Sequence, residues 1–255
     1  MGGGGFLDKV GKDFALALVF LTRLPLPHLD FNGRSLSSAL WAAPLVGVGV
    51  ALIGGIVFAI AKWLGLAAGP AAALALGATM LVTFCLHEDG LGDTADGFGG
   101  GRTAERKMEI MRDSRVGTYG VATLALSILL RWSALSELAS VPHVFSALIA
   151  AHAASRGLIP GFMHLLPSAR PQGLAADAGA PSADVAIASA VLGALALLLL
   201  GLPGAIAVAA LLALWFLLLR WLCLGQIGGH TGDTIGALQQ GAEILVLLAA
   251  SAILV

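Results

Sequence analysis

Leu36–Trp63, LSSALWAAPLVGVGVALIGGIVFAIAKW, runs for 28 residues with one charged side chain, Lys62, next to its end. A helix rises 1.5 Å per residue, so about 20 apolar residues cross the roughly 30 Å of bilayer hydrocarbon. The run is long enough to be a transmembrane helix, and it sets the class of the whole chain. The 255 residues are 58% hydrophobic and 11% charged, with a mean hydropathy of +0.93. A soluble domain carries about 25% charged residues. The formal net charge of −1 gives no field that would attract nucleic acid.

Working outward, further apolar runs at Ala71–Leu86, Val121–Leu138, Val144–Ile159, Val185–Leu200, Ala205–Trp221 and Ala242–Val255 bring the expected spans to seven. The fifth and sixth are divided only by Gly201-Leu202-Pro203-Gly204, a turn signal. Lys9–Leu24 is apolar but short, with Lys9 and Lys12 at one end and Arg23 at the other, and is expected to lie at the membrane interface. Pro25 and Pro27 end it. The N-terminus lacks the pattern of a signal peptide, and Phe6 stands where a myristoylation signal needs Ser or Thr. The expected fold is therefore all-α: a polytopic helix bundle of about seven spans plus an interfacial helix, forming one integral membrane domain over residues 1–255 in a lipid bilayer. Seven spans put 12 of the 14 Lys and Arg side chains on one face, which marks that face as cytoplasmic. Small-residue patches at Gly47-Val48-Gly49 and Gly54-Gly55 suit close packing within the chain or between copies, leaving a homo-oligomer open. Cys85 and Cys223 sit apart in apolar segments and read as small buried hydrophobes.

Against this background His87–Gly120, HEDGLGDTADGFGGGRTAERKMEIMRDSRVGTYG, holds seven of the 15 acids and five of the 14 bases. Charge beside membrane spans is costly unless it binds something or does chemistry. Asp89, Asp93 and Asp96 are spaced i, i+4, i+7, which stacks three carboxylates on one helix stripe. Such a stripe repels itself. It suits a hard divalent cation, Mg²⁺ above all, which commonly brings a substrate phosphate with it; the plainer alternative is a solvated acidic helix end. Gly97 and Gly99–Gly101 let backbone approach a ligand, although a glycine run alone is usually only a loop. Arg102, Arg106, Arg112 and Arg115 offer forked donors for phosphate oxygens, and Asp113 a further ligand or cap. Glu105 and Glu109 could instead pair with Arg106, Lys107 and Arg112 along a surface helix, which is the preferred reading for Lys107 and Glu109. His87 or Glu88 could serve as general base, with a satisfied interfacial histidine as the alternative. A second polar island, Gly228–Thr234, places Asp233 on the same face. Arg23 reads as a headgroup anchor or a phosphate ligand.

These blocks resemble the signature of the cobalamin synthase family, the adenosylcobinamide-GDP ribazoletransferases. The likeness rests on His87–Gly97 (HEDGLGDTADG), Glu109–Gly120 (EIMRDSRVGTYG), Phe20–Pro27 (FLTRLPLP) and Gly228–Ala237 (GGHTGDTIGA). It covers nearly the whole chain, and the blocks are specific together rather than singly. The resemblance implies a Mg²⁺-dependent enzyme of the bacterial cytoplasmic membrane. Its implied reaction joins α-ribazole, or its 5′-phosphate, to adenosylcobinamide-GDP, giving adenosylcobalamin or its phosphate and releasing GMP. Glu88 falls on a variable position of the family pattern and gains no role from it. The acidic stripe is also similar to that of CDP-alcohol phosphotransferases, by analogy of chemistry only. The rival expectation is a transporter with a cation-coupled acidic site, although transporters usually place ionisable groups near mid-membrane.

Overall fold

A computed structural model describes residues 5–24, 33–138 and 140–255, all helix, turn and loop. Met1, Gly2, Pro25 and Pro27, on which several sequence expectations rest, lie outside the described residues. The helices are α1 (Phe6–Leu21), α2 (Leu36–Ala39), α3 (Ala43–Trp63), α4 (Ala68–Thr83), α5 (Leu86–Gly100), α6 (Ala104–Ile110), α7 (Thr118–Glu137), α8 (Val141–Gly157), α9 (Ile159–Leu165), α10 (Leu174–Ala178), α11 (Ala183–Leu197), α12 (Gly201–Ile227) and α13 (Gly232–Ile253). A 3₁₀ turn at Leu40–Ala42 joins α2 to α3, so Leu36–Trp63 is one continuous span, with the bounds expected from sequence.

Among the described residues four helical stretches are long and apolar enough to cross a membrane: Leu36–Trp63, Thr118–Glu137, Ala183–Ile227 and Gly232–Ile253. The count becomes five if the bent pair α4–α5 is one broken span. This differs from the seven separate spans expected. Two expected spans correspond to helices of 16 and 17 residues, α4 and α8, which are short of a full crossing. The fifth and sixth join into one helical stretch of 45 residues, interrupted where Gly201 takes φ +76°. That stretch doubles back. In α11, Gly193 packs on Ala153 and Ala154 of α8, whereas in α12 Gly204 meets Ile253 and Trp215 bonds to Leu238 of α13. The last helix begins at Gly232, ten residues before its expected start, because Thr231 and Thr234 form a reciprocal capping box.

The core is built of small side chains, which lets helices approach through backbone contact, as apolar solvent requires. Ala71, Ala72 and Ala75 of α4, Ala147, Ala150 and Ala151 of α8, and Ala242 and Ala250 of α13 belong to one fully buried cluster. Gly47 of α3 lies against the His152 carbonyl with no room for a Cβ.

Two features inside this frame are polar. The first is an elbow. α4 and α5 meet at 89°, and the joint is made by two consecutive left-handed residues, Phe84 (φ 55°) and Cys85 (φ 54°). For non-glycine residues that conformation costs of order 1–3 kcal/mol each, so surrounding contacts must hold it. The bend frees the Val82 carbonyl, which accepts the backbone N–H of Arg23 at 2.8 Å, while the Arg23 guanidinium lies 5.4 Å over the Phe84 ring. The second is a buried ionic network. Arg131 of α7 reaches Glu88 of α5 at 3.0 Å and Glu243 of α13 at 3.1 Å. Glu243 also faces His152 Nδ1 at 3.0 Å and Arg156 at 3.9 Å, and accepts from Gln239 Nε2 at 2.6 Å. Gln239 Nε2 in turn reaches Ser155 Oγ at 2.9 Å. Two acids balance two arginines, all buried.

Removing one member of such a network strands its partners in an apolar interior, at a cost of about 3–5 kcal/mol. Glu243→Ala, which leaves Arg131 and Arg156 unbalanced, is therefore expected to lower the unfolding midpoint of the purified protein in detergent strongly. Glu109→Ala, on the exposed rim, is expected to leave it unchanged. A thermal melt of the two variants beside the parent checks this.

Candidate active site

The acidic stripe begins immediately after the elbow. Asp89 is exposed, Asp93 half-buried and Asp96 buried, so the stripe runs from an open edge into the packed bundle. α5 and α13 cross at bare backbone: a Cβ on Gly90 would stand 2.7 Å from the Asp233 carbonyl, and one on Gly236 2.9 Å from that of His87. This crossing brings Asp233, in the first turn of α13, to the stripe from a distant part of the chain. The charges of Asp89, Asp233 and Asp96 all act on Asp93, with Arg170 opposing them.

Arg170 arrives by a separate route. The Pro167–Ala169 segment pairs with His230 through two backbone hydrogen bonds, Ala169 N–H to the His230 carbonyl and His230 N–H to the Pro167 carbonyl, both 2.9 Å. Gly229 touches the Pro167 carbonyl so closely that no side chain fits. The pairing sets Arg170 3.1 Å from Asp233, whose carboxylate also accepts from Thr231 Oγ1 at 3.2 Å. Burial lowers the His230 imidazole below its usual range, which favours the uncharged ring.

Asp96 has a different occupation. Its carboxylate accepts the backbone N–H of Gly117 at 2.6 Å and of Gly120 at 2.8 Å, capping the start of α7 from another helix. A Cβ at either glycine would collide with it. The carboxylates of Asp89 and Asp93, by contrast, have no hydrogen bond or ion pair among the described residues. Among those residues no three His, Cys, Asp or Glu side chains converge to hold a metal ion. The donor chemistry still fits a hard cation: Asp89 and Asp93 are unengaged acids, Asp233 carries a single arginine, and ligand phosphate oxygens would complete the shell.

The bases divide into two groups. Arg115 bonds Asp113 through Nε and NH2, at 3.0 and 2.6 Å, and these bonds hold the Asp113 carboxyl down at about 2. Arg106 pairs with Glu109 at 2.6 Å on the α6 surface. Arg106, Asp113, Arg115, Gly117 and Tyr119 border a polar cleft of about 410 Å³ that also touches Asp96. Arg102 and Arg112 are exposed and form no ion pair among the described residues. On the other side of the stripe, Asp89, Asp233 and His87 close one end of a largely apolar cleft of about 170 Å³.

The sequence model of the cobalamin-5-phosphate synthases matches residues 13–251. The chain belongs to that family. It is 64% identical over 243 residues to an adenosylcobinamide-GDP ribazoletransferase of Mesorhizobium japonicum, covering 95% of this chain and 94% of the relative. A protein of the same name from Bradyrhizobium diazoefficiens is 51% identical over 96% of this chain and 95% of its own length. A third, from Brucella ovis, is 42% identical over 92% and 95%. No solved structure matches the chain.

In this chain Asp89, Asp96 and Asp233 all lie close enough for their charges to act on Asp93. Glu88, considered as a base from sequence, is buried and turned to Arg131. Arg23 stacks on Phe84 at the elbow. Arg170 and Glu243 carry no signal in the sequence. Arg170 stands in a Pro/Ala/Gly-rich loop, a composition typical of plain connections, and Glu243 is one acid inside an apolar run. Only the loop pairing and the packing of α7, α8 and α13 disclose them.

Because Asp96 caps α7, Asp96→Ala should loosen the start of that helix. Loss of such a cap costs about 1–2 kcal/mol, so backbone hydrogen exchange at Gly117–Gly120 is expected to quicken by roughly five- to thirtyfold. Asp93→Asn is expected to leave exchange there unchanged, which separates a structural acid from a chemical one on the same stripe.

Proposed function

We propose that this chain transfers the phosphocobinamide part of adenosylcobinamide-GDP to α-ribazole, or to α-ribazole 5′-phosphate, and releases GMP. The observation that supports this reading is that the charges of Asp89 and Asp233, from two remote segments, both act on Asp93, with Arg170 3.1 Å from Asp233, in a member of this family. An alcohol attacking a diphosphate needs its charge neutralised, its leaving phosphate held and a proton removed. Mg²⁺ held by Asp89, Asp93 and Asp233, with Asp96 behind them, would supply charge neutralisation when bound.

The protein's own groups account for the rest. Arg170 and the donors of the neighbouring polar cleft, Arg106 and Arg115, grip phosphate oxygens, with Arg102 and Arg112 free at the rim. The exposed Asp89 accepts the proton of the attacking hydroxyl, and His87 lies beside it at the end of the apolar cleft. The new bond joins the ribazole oxygen to the phosphorus attached to cobinamide. The bond that breaks joins that phosphorus to the bridging oxygen, which leaves with GMP. The buried network fixes α5 through Glu88, one residue from Asp89, and so keeps the acids in register. The site faces the cytoplasmic side of a bacterial inner membrane in this reading, where both charged substrates arrive from water; the local richness of Lys and Arg around the acids supports it.

Purified protein supplied with Mg²⁺, adenosylcobinamide-GDP and α-ribazole is expected to release GMP, to stop on chelation with EDTA, and to resume when Mg²⁺ is restored. Asp93→Ala is expected to lower turnover by about 100-fold or more while eluting as folded protein. Parent-like rates in that variant, or turnover in EDTA, would remove the metal assignment.

A further inference from the structure

The apolar cleft beside the acids has no role in gripping phosphate. Its walls are hydrocarbon: Phe20 and Leu21 from α1, Leu36 and Leu40 from α2 and the 3₁₀ turn, Ile159 and Met163 from α9. Among the described residues its ionisable lining groups are His87, Asp89 and Asp233, which lie where α5 and α13 cross. The cavity is therefore polar at one end and greasy over the rest of its length.

Each part of the two substrates can be weighed against that shape. A corrin ring is several times too large for a volume of about 170 Å³. Guanine is small enough, but its edge carries donors and acceptors that a hydrocarbon wall leaves unpaired, at a cost of about 1–3 kcal/mol per group. Diphosphate is excluded outright by burial of charge. A planar base edged with methyl groups has the right size and polarity. The sugar of its nucleoside is also the piece whose hydroxyl must reach Asp89.

We propose that this cleft is the acceptor-nucleoside subsite, taking a flat, methyl-bearing heteroaromatic base between α1, α9 and Leu36, with its ribose hydroxyl at Asp89 and Asp233. The inference rests on the ribazoletransferase reading and adds to it the feature that selects the lower base. Two methyl groups buried here are worth about 0.8 kcal/mol each, so the cleft distinguishes dimethylated from bare benzimidazole nucleosides by about tenfold in KM.

The test is the initial rate of GMP release against each substrate in turn. Leu36 is half-buried at the start of its helix, so Leu36→Trp fills the cleft from its edge. It is expected to raise KM for α-ribazole by at least about tenfold while KM for adenosylcobinamide-GDP stays at the parent value. Met163→Ala, which widens the same wall, is expected to shrink the preference for the dimethylated nucleoside, and it carries the test if the tryptophan variant does not fold. An unchanged nucleoside KM in Leu36→Trp with an undiminished methyl preference in Met163→Ala would overturn the subsite and leave the cleft to a lipid chain. A rise in KM for the corrinoid substrate alone would overturn it too. These failures leave parent turnover intact; absence of GMP from the parent protein would instead remove the enzyme reading and the subsite together.

Discussion

A carboxylate buried among apolar helices must be answered within the protein, and Glu243 is answered by two other helices. It sits on α13 and draws Arg131 from α7 and His152 and Arg156 from α8, while Arg131 reaches on to Glu88 of α5. Hydrophobic contact alone orders little in lipid, because a helix gains almost nothing by exchanging lipid for another apolar surface. Directional ion pairs do order it, since any rotation of α7 or α8 that breaks them leaves charge uncompensated. The register of the four helices around the site follows from this network.

Register is what the chemistry requires. The acids that meet near Asp93 come from residues 89, 93 and 233, and their meeting depends on bare backbone at Gly90 and Gly236. A side chain at either position would part α5 from α13 and separate Asp233 from the stripe. The nearby loops follow the same principle of non-local support. His230 holds the Pro167–Ala169 segment, and through it Arg170; Asp96 holds Gly117 and Gly120, and through them the start of α7. Arg170, Asp233 and Asp96 each meet a partner far away in sequence.

That explains what the sequence discloses. Helical class, membrane composition and the Asp89–Asp93–Asp96 stripe are local properties, legible from spacing and hydropathy. The elbow is not, because Met80–Glu88 (MLVTFCLHE) contains no glycine or proline and reads as helix throughout. The left-handed pair exists because packing holds it there. The span count depended on this too: a helix that stops at Thr83 looks continuous when judged by hydropathy, and a hairpin at Gly201 looks like two helices or one according to where the break is drawn. The stripe also conceals a division of labour, since identical spacing gives no hint that Asp96 serves a helix end while Asp89 and Asp93 stand free.

The elbow ties together parts of the chain that look unrelated. A broken membrane helix exposes a carbonyl, and here the chain's own N-terminal arm mends the gap: Arg23 donates its backbone N–H to Val82 and covers Phe84. Two and three residues earlier, Leu21 and Phe20 form a wall of the apolar cleft. The arm is thus a splint fastened at one end to the joint that aims the acids and at the other to the chamber beside them.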